Sequence, residues 1–293
     1  MTKERKIVIA EQQKVIFGVL EWLWDSFAEA VLCELGYIAK ISGSSHWPRV
    51  WWCPTGIISF LPIHAAGYHR APIQGRTVID RVVSSYTSSI RALKYSRDHI
   101  WSSKNQSALI IAMPSTPLAE DEAYRIKDIL RKQGKVEVQV MDNIEVEVMC
   151  NELLSRSIVH FICHAVSDPD PSLSRLLLKD GNLTVAQISQ LKINADALAY
   201  LSACSTALSR TESLEDECIA LSTAFQVAGF AGVIGSLWKA DDRTSFDVAK
   251  SFYDYLQSDT SSAATALHCA VLDLRTRVPD DPSLWSPYMY TGA

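Results

Sequence analysis

Apolar residues recur every three or four positions from Ile16 through Leu20, Leu23 and Phe27 to Val31, with Glu21, Asp25 and Glu29 on the other side. That spacing predicts an amphipathic helix over residues 11–38. Residues 43–48 (GSSHWP) read as a loop. The β-rich runs RVWWCPTG and IISFLPIHA, joined at Pro54-Thr55-Gly56, predict a β-hairpin. VIDRVVSSYTSS then predicts a strand leading into a short helix through Leu93, and the polar stretch from Asp98 to Ser107 a connector.

Beyond the connector the pattern changes to short apolar runs alternating with helical segments. The strands are ALIIAMP, KVEVQVM, IVHFICHA, ALAYLSAC and GVIGSLW; the helices fall near 119–133, 146–155, TVAQISQLK, 214–228 and 244–257. Alternation of this kind predicts an α/β fold with a mostly parallel sheet covered by helices on both faces. The chain divides accordingly into an N-terminal helix and hairpin part, 1–105, and a larger α/β part, 106–293. No period of 20 to 50 residues repeats, which excludes a solenoid.

Composition narrows the function classes. With 28 Lys and Arg against 33 Asp and Glu the formal charge is −5, too acidic for a dedicated nucleic-acid binder, so no direct nucleic-acid partner is expected. The apolar stretch between Val15 and Ala39 is broken by Glu21, Asp25, Glu29 and Glu34, which argues against a spanning helix. The first residues lack the apolar core of a secretory signal, so the expectation is a cytoplasmic protein with no membrane partner. Seven cysteines with no C-x-x-C argue against both a disulfide framework and a structural zinc site.

In parallel sheets, chemistry sits beyond the carboxyl ends of the strands. Those ends carry Cys163-His164-Ala165, Ala203-Cys204-Ser205 and Trp238 to Asp242. An imidazole beside a thiol favours the thiolate and can later protonate a leaving amine, so His164 and Cys204 form a candidate dyad. The competing reading has His164 capping a strand and Cys204 filling core. Cys163 and His160 are expected to be core residues, by alternation and by depth in an apolar strand. His64 and His69 are candidate metal ligands without a partner motif. H-E-x-x-H, the P-loop, G-x-G-x-x-G and G-x-S-x-G are absent from the sequence.

VHFICHA, DPSLSRLLLKDGNLTVAQIS, LSACSTA, AFQVAGFAGVIGSLWKADD and the closing LWSPYMYTGA together resemble a CHAT domain, a caspase-like domain grouped with separases and related cysteine peptidases. RVWWCPTGIISFLPIHAAG resembles the N-terminal part of such domains, particularly those of fungal multidomain proteins. The resemblance implies a caspase-like three-layer sandwich. It implies a cysteine endopeptidase with His164 as acid and base, Cys204 as nucleophile, and the backbone amides of Ala165 and Cys204 holding the oxyanion. It implies no metal and no organic cofactor. Where the family has glycine after the histidine this chain has Ala165, which keeps the amide but requires a negative φ.

GVIGSLWKADD is similar to a separase segment whose acidic residue binds a basic side chain before the scissile bond. The matching position is Asp242, with Asp241 beside it. The plain alternative is that Asp241 or Asp242 caps the next helix. The acidic run Glu212 to Glu217 reads as a solvated helix start. The partners implied are a protein substrate and a regulatory or sensor protein, in control of stress, immunity or cell death. Two other readings remain open: a caspase-like scaffold that binds a partner without cutting, and a metal-dependent hydrolase built on His64 and His69.

Overall fold

The computed structural model describes residues 3–39, 41, 47–70, 75–99, 106–114, 116, 118–132, 136–142, 144–166, 168, 170–191, 193, 196–202, 217–257 and 262–293. Cys204, most of the GSSHWP loop, most of the 98–107 connector and the acidic positions 212–216 therefore lie outside the described residues.

The first helix begins earlier than its apolar spacing predicts. It runs as α1 (Lys3–Leu23), a π-helical turn (Trp24–Ala28) and α2 (Glu29–Glu34). Gly36, at φ +79°, ends it. Its N–H bonds the Cys33 carbonyl at 3.0 Å and that of Tyr37 bonds the Leu32 carbonyl at 2.8 Å, a paired closure that needs a left-handed residue between.

Two strands, β1 (Arg49–Trp52) and β2 (Val83–Tyr86), precede α3 (Ile90–Asp98). The predicted hairpin does not form. Residues 56–60 and 63–65 are two 3₁₀ turns, and β1 pairs in parallel with β2 instead. Pro62, with no N–H to give a ladder, disqualifies IISFLPIHA as an interior strand.

The remaining order is β3 (Gln106–Ala112), α4 (Ala119–Arg131), β4 (Val136–Asp142), α5 (Val146–Leu153), β5 (Ile158–Ile162), β6 (Ala165–Val166), β7 (Arg175–Leu177), β8 (Asn182–Thr184) and α6 (Val185–Gln190). Then come β9 (Leu198–Leu201), α7 (Glu217–Ala228), β10 (Gly232–Ser236), α8 (Asp242–Leu256), α9 (Ala263–Arg277), α10 (Pro282–Trp285) and β11 (Tyr288–Gly292). Eight strands form one sheet in the order β1-β2-β11-β10-β9-β5-β3-β4. The pairings β10–β9–β5–β3–β4 are all parallel, and β11 enters antiparallel to β10. Strands from both the 1–105 and 106–293 parts thus share this sheet.

Alternation divides the strands' side chains between two cores. Ile158, Ile162, Tyr200 and Ile234 meet α4, α8 and α9 on one face. Val159, Phe161, Ala199, Leu201 and Val233 meet residues of α5, α6 and α7 on the other. Burial on both faces explains why these strands read as unbroken apolar runs. A third cluster, with Leu23, Trp24 and Leu32, packs the first helices against β1 and β2.

His160 is the polar exception in β5. It is fully buried, with Nε2 2.9 Å from Glu122 Oε1 and Nδ1 3.1 Å from the Tyr253 hydroxyl, and its ring stacks on Tyr200 at 4.7 Å. This is the satisfied core histidine the sequence predicts.

Candidate active site

β5 and β9 are adjacent and parallel, so their carboxyl ends open on the same edge. The tip of β5 is clamped from both sides. Ser202 N–H donates to the Phe161 carbonyl and Met113 N–H to the Ile162 carbonyl, each at 2.9 Å. His164 follows two residues beyond this clamp and is half-buried. Its own carbonyl accepts from Leu177 N–H at 2.8 Å, which ties the histidine's backbone to β7.

That bond also orients the next amide. With Ala165 facing Leu176 in the antiparallel β6–β7 ladder, the 177-to-164 bond makes them a non-hydrogen-bonded pair. The Ala165 N–H therefore points away from β7. Among the described residues Leu118 is the one non-glycine with positive φ, so Ala165 stands where glycine's freedom is not needed. Its methyl group is buried in the core beside Cys163 and Leu176.

β9 runs toward Cys204, whose own placement lies outside the described residues. Each register pair of β5 and β9 is 40 positions apart, from Ile158 with Leu198 to Phe161 with Leu201. His164 and Cys204 are separated by the same 40 positions.

The other described cysteines differ in setting. Cys163 is buried and its thiol is pushed up to about 12 by desolvation. Burial also raises the Cys150 and Cys269 thiols, the latter with help from Asp273. Cys33 and Cys53 are exposed.

β10, the neighbour of β9, leads to the two carboxylates. Asp241 is the N-cap of α8, its Oδ1 accepting from Arg243 N–H at 3.1 Å and Thr244 N–H at 3.0 Å. Asp242 is the first helical residue and half-buried. The structure thus separates the pair: Asp241 is committed to capping, and Asp242 is left with its carboxylate at the helix start.

His64 and His69 are held individually. His64 Nδ1 is 2.7 Å from the Tyr86 hydroxyl and His69 Nε2 is 2.7 Å from the Ala65 carbonyl. Among the described residues no three His, Cys, Asp or Glu converge as a metal site.

The small sheet β6–β7–β8 is what sequence reading missed here. Its strands are two or three residues long, too short for a period-two signal, yet they fix the backbone of His164 and Ala165. The turn residues Asp180 and Gly181 between β7 and β8 are the trace it leaves in the sequence.

The large, mostly parallel sheet with helices on both faces matches the caspase-like class of α/β fold. A chain of the Saccharomyces cerevisiae separase–securin complex superposes with a TM-score of 0.55 at 14% identity, over 80% of this chain and 14% of that one. Gingipain R, an Arg-specific cysteine proteinase, superposes at 0.54 and 14% identity, over 75% of this chain and 56% of that chain. The Porphyromonas gingivalis complex of RgpB pro- and mature domains matches at 0.55 and 11% identity. The chain therefore spans a small part of the separase-complex chain and little more than half of the gingipain chain. The CHAT domain family matches residues 18–293, and the chain belongs to that family. No functionally curated protein shows significant similarity to it. Among the described residues no helix is long and apolar enough to cross a membrane.

Proposed function

We propose that the chain is a cysteine endopeptidase domain in which Cys204 and His164 form the dyad. The observation that carries this reading is the adjacency of β5 and β9: in the sequence His164 and Cys204 each follow by three positions the last paired residues of the two strands, Phe161 and Leu201. His164 takes the thiol proton and the Cys204 sulfur attacks the scissile carbonyl carbon, forming a C–S bond. The oxyanion so formed is held by the amides of Ala165 and Cys204. His164 then returns the proton to the leaving amine as the C–N bond breaks. A water deprotonated by His164 then attacks the thioester carbon, the C–S bond breaks to release the acid product, and His164 returns the proton to the Cys204 sulfur.

Asp242 is the residue we assign to substrate selection. A partly shielded carboxylate beyond the carboxyl end of β10, on the same sheet edge as His164, favours an Arg or Lys side chain before the scissile bond. The acidic first helical turn is no obstacle, since the α8 dipole itself stabilises the carboxylate there.

The test is a positional peptide library incubated with the parent chain, Cys204→Ala and His164→Ala. The reading predicts cleavage after Arg or Lys by the parent and loss of cleavage in both variants with folding retained. Cleavage by either variant would overturn the dyad. A folded parent that cuts nothing and whose Cys204 is unreactive would favour a partner-binding scaffold.

A further inference from the structure

At the opposite edge of the sheet, where β9 and β10 begin, a groove of about 560 Å³ opens between α3, the end of α6 and the end of α7. Its volume is that of a ligand site rather than a packing defect. The wall carries apolar groups, chiefly Ala92, Leu191 and Val227, the last 65% exposed. Beside them stand hydrogen-bonding side chains from three elements.

One of these is poorly satisfied. Gln226 is 95% buried in the groove wall, its Oε1 has no partner among the described residues, and its Nε2 reaches Ser96 Oγ at only 3.4 Å. Turning this amide toward an incoming N–H would supply the missing bond. Gly229 lines the groove at φ +119°, where an added Cβ would lie 2.9 Å from the Ile193 carbonyl oxygen, so the close approach of the two backbone segments in this wall requires glycine.

The charge on the wall is of one sign. Arg91 is the one charged residue lining the groove among those described, and it stands in the first turn of α3, where the helix N-terminus adds positive potential. The exposed Lys94 follows one turn on; Arg97 lies over the Trp51 ring, and the exposed Asp98 closes the helix. From the apolar wall, the acceptor on Gln226 and this charge, we infer that the groove is a docking site for an acidic peptide segment of a partner protein. An apolar side chain would seat against Val227 and Leu191, and a carboxylate would pair with Arg91. A ligand there rests on α7, the helix that follows the segment bearing Cys204.

Binding is measured on the Cys204→Ala chain, so that the result does not depend on peptidase activity. The probe is a capped, fluorescein-labelled hexapeptide of alternating leucine and glutamate, followed by fluorescence anisotropy, with the leucine–lysine peptide as its charge-reversed counterpart. Saturable binding of the acidic peptide alone is expected, weakened about tenfold or more by Arg91→Glu and by Val227→Glu, two exposed sites whose replacement leaves the core untouched. No saturable binding, equal binding of the lysine peptide, or unchanged affinity in both variants would overturn the inference.

Discussion

Acid should unfold the protein through three histidines, the buried His64 and His268 and the half-buried His69, the last two within reach of the Asp80–Arg275 ion pair, whose atoms are 2.9 Å apart. Desolvation leads in each case. His64 and His69 are held down to about 4 and His268 to about 3, with Arg275 repelling the charged form of the last two and Asp80 partly opposing it. In the unfolded chain a histidine titrates near 6.5, so the unfolded state binds more protons between pH 6.5 and about 4. Stability is therefore full above pH 6.5, falls as pH drops through that window, and levels below about 4 for His64 and His69 and below about 3 for His268. Between pH 7 and 4.5 each such group contributes a loss of about 2.5 kcal/mol, because holding one proton fewer in the folded state costs about 1.4 kcal/mol for every pH unit crossed below 6.5. Three together, about 7 kcal/mol, exceed the lower end of a domain's whole stability, about 5 kcal/mol. Urea unfolding at pH 7, 6, 5 and 4.5 measures the loss directly. His268→Leu isolates one group: it should flatten the pH dependence by about one histidine's share, whatever it does to stability at pH 7. A parent chain equally stable at pH 7 and 4.5, or a His268→Leu variant as acid-sensitive as the parent, would refute the reasoning.

Asp241→Ala should lower the unfolding free energy by about 1 kcal/mol, seen as a lower urea midpoint, because two helix-start amides lose their acceptor. Asp242→Asn should instead remove the preference for Arg or Lys by roughly ten- to hundredfold in kcat/KM while neutral substrates are still turned over; an unchanged profile would reject the pocket. Gly67→Ala should destabilise by more than about 2 kcal/mol in the same unfolding assay, since at φ +140° its Cβ would lie 2.4 Å from the Arg76 carbonyl oxygen. Ala165→Gly should cost at most about 1 kcal/mol of stability and retain cleavage, because the Ala165 amide already points away from β7.

The α/β core was legible because its strands are buried on both faces and its helices on one, so hydrophobic periodicity tracks them directly. β5, β9 and β10 fall within IVHFICHA, ALAYLSAC and GVIGSLW. The N-terminal part was not. RVWWCPTG forms a strand as expected, but its partner lies about thirty residues further on, and no local pattern states a non-local parallel pairing. β11 escaped for a related reason: YMYTG has no alternation because all five residues are buried, and it enters between β10 and β2 from the far end of the chain. α9 carries a readable start, Ser262 accepting from Thr265 N–H, but its many buried alanines blur the polar face that marks a surface helix.

At the site, the strand-tip position of His164 could be read from the end of an apolar run, and the cap at Asp241 from its place before a helix. The hold on the histidine could not. It depends on an amide of Leu177, thirteen positions away in a three-residue strand, and backbone bonds of that kind leave no side-chain signature.

The most direct measurement is the rate of iodoacetamide labelling at each of the seven cysteines as a function of pH, mapped by mass spectrometry on the parent and on His164→Ala. The account predicts that Cys204 labels faster than the exposed Cys33 and Cys53 and reaches its thiolate at lower pH than they do, and that His164→Ala removes both differences. Labelling of Cys204 no faster than Cys33 and Cys53, with no response to the loss of His164, would contradict it.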